Sequence, residues 1–140
     1  MICRAQGCLL GQLAGDALGS LVEFQSPDEI RRRYPDGVRE LADGGTWNTI
    51  AGQPTDDSEM ALLLARMLVG NGFYNPEAAL KEYRYWLNSG PFDCGATISA
   101  GLRGNPNPDS QANGAMMRIS PLGIFGAGFE LTQVAEWAMQ

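Results

Sequence analysis

Histidine is absent from the 140 residues, and that absence removes a great deal of chemistry. No Ser–His–Asp triad can be built, nor any zinc site that needs imidazole, and the commonest general base is missing. Cysteine is scarce as well. Cys3, Cys8 and Cys94 are an odd number without metal-ligand spacing, which reads as free thiols in a reducing cytoplasm. Positive charge is the third thing in short supply: Lys and Arg total 10 against 16 Asp and Glu, a net charge of −6. The one basic run, Arg31-Arg32-Arg33, sits between Ile30 and Tyr34 and reads as a solvated helix face. Nucleic acid is therefore not expected as a partner. Long apolar runs are missing too. Gln6, Gln12 and Asp16 interrupt the N-terminal one, which is too short to span a bilayer, so a cytoplasmic protein without membrane contact is expected. No strand alternation and no repeat of solenoid length occurs. Chemistry in this chain has to come from carboxylates, hydroxyls and a hard metal.

What is present suits one compact helical domain. Hydrophobic residues make up 44% and charged residues 19%, a globular composition with enough chain for a core. Cys3 to Phe24 reads as one helix. Its glycines, Gly7, Gly11, Gly15 and Gly19, recur every fourth residue and predict close approach of a neighbouring backbone, because each weakens a helix by roughly 1 kcal/mol relative to Ala. Its leucines point in most directions, which predicts burial on nearly all sides. Ser26-Pro27-Asp28-Glu29 starts a short helix that stops before the Pro35-Asp36-Gly37 turn. Val38 to Pro54 lacks periodicity and reads as a long Gly-containing loop, a length that usually serves function. Helices are expected over Asp56 to Val69, from Asn75-Pro76-Glu77 to Ser89-Gly90, over Ala96 to Leu102, over Asn113 to Phe125 with an interruption near Pro121, and from Leu131 to Gln140. No residue that would end a helix follows Glu136, so the chain reads as an all-α domain that is cut short.

Four groups of residues could carry chemistry. Thr55-Asp56-Asp57-Ser58-Glu59 reads plainly as a capped helix start with acids complementing the macrodipole. Capping needs only one carboxylate, however, and adjacent aspartates beside a threonine hydroxyl are a compact set of hard oxygen ligands suited to Mg²⁺. Asp16 and Glu23 lie seven apart, which places both on one face of a continuous helix. Acids in so apolar a helix are costly unless paired or metal-bound. Asp93, in Gly90-Pro91-Phe92-Asp93-Cys94-Gly95, is either an N-cap or a loop acid. Asn113-Gly114 is generic turn chemistry, Met116 and Met117 read as core, and Arg118 is suited to a buried acid or a phosphate.

In this order the fragments resemble the ADP-ribosylglycohydrolase family. The matching elements are Gly15-Asp16-Ala17-Leu18-Gly19 followed by Glu23; Gly52-Gln53-Pro54-Thr55-Asp56-Asp57-Ser58; Met60-Ala61-Leu62; Phe92-Asp93-Cys94-Gly95; and Asn113-Gly114-Ala115-Met116-Met117-Arg118 with Pro121. They cover essentially the whole chain. The resemblance implies an orthogonal all-helical fold of which residues 1–140 would be the N-terminal part of a single domain. It implies two Mg²⁺ (or Mn²⁺) ions, with Thr55, Asp56 and Asp57 as metal ligands. Glu23 would be a ligand or the catalytic carboxylate that positions or activates water. Asp93 matches a loop aspartate of members that reactivate dinitrogenase reductase, where it assists proton transfer at the ribose, and Asn113 and Gly114 would shape the ADP-ribose pocket. The implied activity is hydrolysis of an ADP-ribosylated protein, with ADP-ribosyl-arginine as the bond cleaved. Ser58 stands where threonine is commoner, and Ala112 where glycine usually precedes Asn-Gly. A second acidic segment that completes the family's metal site has no counterpart here, so another chain completing the site is one expectation. A non-catalytic relative that binds ADP-ribose or a protein, and a magnesium phosphohydrolase, are the competing readings.

Overall fold

The computed structural model describes residues 2–140, which form seven α-helices joined by turns and loops. They fall into two compact units, Ile2–Thr55 and Asp56–Gln140. No described helix is long and apolar enough to cross a membrane.

The first unit holds α1 (Ile2–Gly19), α2 (Pro27–Arg33) and the loop that follows. Helix α1 stops at Gly19 rather than at Phe24. Beyond it the hydrogen bonds shorten to three-residue steps, Leu21 N to Leu18 O and Val22 N to Gly19 O, and Phe24 takes a left-handed φ of 60°. The seven-residue argument for Asp16 and Glu23 sharing a helix face therefore fails, because Glu23 lies in the turn beyond the helix. The expected burial of α1 also fails: Ala17 is its one buried residue. A Cβ added at Gly7, Gly11, Gly15 or Gly19 would meet nothing within 4 Å. Apolar side chains spread around a helix call for cover on every side, and among the described residues only Ala17 of α1 receives it fully. Helix α2 forms as its sequence dictates, with Ser26 and Glu29 exchanging the reciprocal bonds of a capping box and Pro27 in the first turn. The Ser26 hydroxyl and N–H hold the Glu29 carboxyl below the usual carboxylate range.

The second unit is built on α3 (Asp56–Asn71). Met60, Leu63, Leu64, Met67 and Leu68 are its buried apolar row, spaced three and four apart as one helix face requires. Helix α4 (Pro76–Asn88) answers with Ala79, Tyr83 and Trp86. The Trp86 indole N–H, which cannot be buried cheaply unbonded, donates to Glu59 Oε2 at 2.6 Å. Helix α5 (Ala96–Leu102) adds Ile98 and Leu102, and α6 (Ser120–Phe125) adds Leu122 to the same cluster. Each fully buried Leu, Ile or Met contributes about 1.5–3 kcal/mol. The expected helix from Asn113 is instead a 3₁₀ turn, Asn113–Ala115, followed by an irregular stretch and then α6 with Pro121 in its first turn. Pro121 lacks the N–H that a continuous helix would need, which explains the late start. Met117 packs against the core, whereas Met116 is 74% exposed, contrary to the core expectation. Helix α7 (Leu131–Ala138) sets Trp137 against Tyr74, Phe125 and Phe129.

Two predictions follow from this packing. The Asn75 side chain caps α4 by accepting from Ala78 N at 3.0 Å, so Asn75→Ala should cost about 1 kcal/mol in urea unfolding. Burial pushes the Tyr83 phenol up to about 12, with Arg118, whose guanidinium carbon lies 4.7 Å from the ring centre, acting the other way. The folded state thus holds this proton more tightly than the unfolded chain. That contribution is fully present below about pH 10 and is lost as pH rises towards 12, a fall of about 2 kcal/mol. Unfolding curves across that window should show the fall, and Tyr83→Phe should remove it.

Candidate functional site

The residues singled out by the sequence fall into three local arrangements. The first joins Asp16 to Thr55. Asp16 lies in the last turn of α1, and its carboxylate accepts the Thr55 backbone N–H at 3.0 and 3.1 Å and the Thr55 hydroxyl at 2.7 Å. An acid in an apolar helix is tolerated here because it is paired, one of the two alternatives its cost predicts. Thr55 is buried. Because its hydroxyl proton is committed to Asp16, the oxygen lone pairs are left as acceptors.

The second arrangement surrounds Glu23. Residues 43–50 form a closed loop in which Gly44 and Thr49 exchange backbone hydrogen bonds at 2.8 and 2.9 Å, and Asp43 Oδ1 accepts from Ala51 N at 2.8 Å. Gly45 has φ +73°, and a Cβ there would lie 2.6 Å from the Ser20 carbonyl oxygen. Only glycine lets the loop come this near the end of α1. The approach brings Thr46 Oγ1 to the Glu23 carbonyl and the Trp47 indole N–H to Glu23 Oε2 at 2.6 Å. Phe24 meets Trp47 edge-on, ring centres 6.3 Å apart. The sequence reading did not single out Trp47. The paired Gly44-Gly45 just before it, inside a loop too long to be idle, was the available signal.

The third arrangement lies at the start of α3. Asp56 is buried, and its Oδ2 accepts from Gly95 N at 3.3 Å. Asp57 and Asp93 are half-buried. Gly95, without a side-chain bond, is the N-cap of α5, so Asp93 is not the cap that one reading of its motif allowed. Burial pushes the Cys94 thiol up, and the carboxylates of Asp56 and Asp93 push it further. Asn113 is exposed, and its carbonyl accepts from Met116 N and Met117 N. Gly114 is buried, and an added Cβ would lie 2.7 Å from Cγ1 and Cδ1 of Ile98.

Thr55, Asp56 and Asp57 offer only hard oxygen atoms on consecutive residues. Mg²⁺ retains several waters and takes one or two carboxylates, so this donor set fits it in kind. Among the described residues no group of three or more Asp, Glu or Cys is placed to hold a metal ion. A cavity of about 420 Å³ lies elsewhere in the second unit, against Leu64, Tyr83, Ile98, Leu102, Arg118 and Trp137. None of the candidate acids lines it.

The tight seat of Gly114 gives a test. Gly114→Ala should cost about 1–3 kcal/mol of stability by overpacking against Ile98. Combining it with Ile98→Val, which removes Cδ1, should recover part of that loss in a double-mutant cycle followed by thermal unfolding.

The family model described as ADP-ribosylglycohydrolase matches residues 2–140. An ADP-ribosyl-[dinitrogen reductase] glycohydrolase of Rhodospirillum rubrum is 38% identical over 135 residues, covering 89% of this chain and 45% of the relative. The ADP-ribosylarginine hydrolase Tri1 of Pseudomonas putida (strain GB-1) is 35% identical over 139 residues, covering 87% of this chain and 36% of the relative. A solved structure described as an ADP-ribosylglycohydrolase-related protein complex superposes with a TM-score of 0.71 at 28% identity, over 96% of this chain and 46% of that one. The chain spans less than half the length of these relatives. With the motifs in order, the helical architecture and a family match from residue 2 to residue 140, the chain belongs to the ADP-ribosylglycohydrolase family.

Proposed function

We propose that this chain contributes to a hydrolase that removes ADP-ribose from a modified protein side chain, with ADP-ribosyl-arginine as substrate and Mg²⁺ or Mn²⁺ as cofactor. The observation that carries the reading is the fixed orientation of the oxygens at the start of α3. Thr55 is held by Asp16 through both its N–H and its hydroxyl, and Asp56 is held by Gly95 N. Groups pinned before a ligand arrives need no reordering when it binds. The names of the relatives from R. rubrum and P. putida support the substrate class.

In this reading Thr55, Asp56 and Asp57 are the residues that hold the cation. Once bound, it would hold ribose hydroxyls and polarise water. Glu23 orients the attacking water and takes its proton as the bond between ribose C1 and the guanidine nitrogen breaks. Water's hydroxyl goes to C1, and a proton must reach the departing nitrogen, a task we assign to Asp93 in the 90–95 loop. An acidic surround keeps the guanidinium protonated and so improves it as a leaving group. Asn113 and Gly114 shape the pocket for ADP-ribose. The share of the relatives' length matched here supports a second polypeptide segment or chain as a further source of ligands. Exposed, free Cys3 and Cys8 support a reducing cytoplasm.

The test is release of ADP-ribose from an arginine-ADP-ribosylated protein, with and without Mg²⁺. Glu23→Gln should lower the rate by about 100-fold or more, the usual worth of a positioned acid or base. ADP-ribose binding without release would make the chain a binder. Phosphate release from simple phosphoesters would favour phosphohydrolysis instead.

A further inference from the structure

We infer that Trp47 is a positioning residue for Glu23, its indole N–H selecting which carboxylate oxygen serves the site. This rests on the proposed role of Glu23 and goes beyond it. Glu23 lies beyond the last turn of α1, where no helical bond fixes its backbone and a carboxylate on a flexible stem would sample many rotamers. Three contacts from one loop remove that freedom. Thr46 N donates to the Ser20 carbonyl at 3.4 Å, and Thr46 Oγ1 donates to the Glu23 carbonyl. Trp47 Nε1 then donates to Glu23 Oε2 at 2.6 Å.

Indole can only donate, through one N–H in a fixed direction. It thus occupies Oε2 and leaves Oε1 for a water or a cation. The short bond to a half-buried carboxylate is charge-assisted and strong enough to hold one rotamer. Phe24 meets the indole edge-on, ring centres 6.3 Å apart, and takes a left-handed φ of 60° there. Gly45 makes the geometry possible, since any side chain there would strike the Ser20 carbonyl. A donor that orients a ligating or catalytic carboxylate from behind typically matters about 10- to 100-fold in metal affinity or activity.

The experiment compares Mn²⁺ affinity, read from the resonance of the free ion, for the wild-type chain, Trp47→Phe, Trp47→Gln and Glu23→Gln, with a thermal melt of each. Phenylalanine keeps the ring and loses the donor; glutamine loses the ring and keeps a donor. Positioning predicts that W47F weakens Mn²⁺ about tenfold with little change in melting. It also predicts that W47Q recovers most of the affinity although it melts lower. The reverse order, with affinity following thermal stability, would mean that Trp47 only packs and would overturn the inference. Wild-type affinity in W47F beside a weakened E23Q would overturn it while leaving the role of Glu23 standing. Wild-type affinity in E23Q, or no Mn²⁺ binding by the wild-type chain, would mean that Glu23 faces no cation in this chain and would overturn the positioning role.

Discussion

Asp16 accepts two hydrogen bonds from one residue, from the amide and the hydroxyl of Thr55, and most of what is distinctive in the site follows from that. Without it, the end of a long glycine-containing loop would lose its tie to α1. With it, Thr55 is locked in one rotamer and its oxygen lone pairs are directed away from Asp16. The adjacent Asp56 is held separately by Gly95 N. Two neighbouring residues are thus fixed by two unrelated partners, Asp16 and Gly95, and neither depends on the other's contact.

The core serves the same end by a different route. Met60, Leu64, Met67 and Leu68 of α3 are buried against Ala79, Tyr83 and Trp86 of α4, and Leu122 of α6 joins that cluster. The helix whose first turn carries Asp56 and Asp57 is therefore the best-buried helix in the chain. A site acid at the end of such an element inherits its rigidity, and acids in that first turn also complement the macrodipole. The structural reading of Asp56 and Asp57 as acids of a helix first turn and the proposed chemical one do not compete, since one placement serves both.

How far the sequence could be read depended on whether a feature was local. The helix starts at Ser26-Pro27, Thr55-Asp56 and Asn75-Pro76 depend on residues within a few positions of each other, and they were legible. So was the block order Gly15 to Glu23, Thr55 to Ser58, Asp93 and Asn113, because it is a pattern along the chain. Features set by distant partners were not. Just past the end of α1 at Gly19, Gly45 and Thr46 reach Ser20 and Glu23 from more than twenty residues away. The partner of Asp16 is 39 residues away, and no periodicity marks it. Asp93 offered itself as a cap, but the backbone chose Gly95. The glycine ridge predicted close packing that no described neighbour provides, because a repeat of small residues states what could approach and not what does.

The same ridge has a consequence in time rather than in space. Four glycines with open space around them make the peptide groups of α1 cheap to expose, so its N-terminal turns should exchange their amide hydrogens readily. Its last turn is different, since Asp16 is pinned to Thr55 and the chain just beyond is stitched to residues 45–47. The helix is thus loose at one end and moored at the other. Glu23 follows the moored end, where Thr46 and Trp47 hold it.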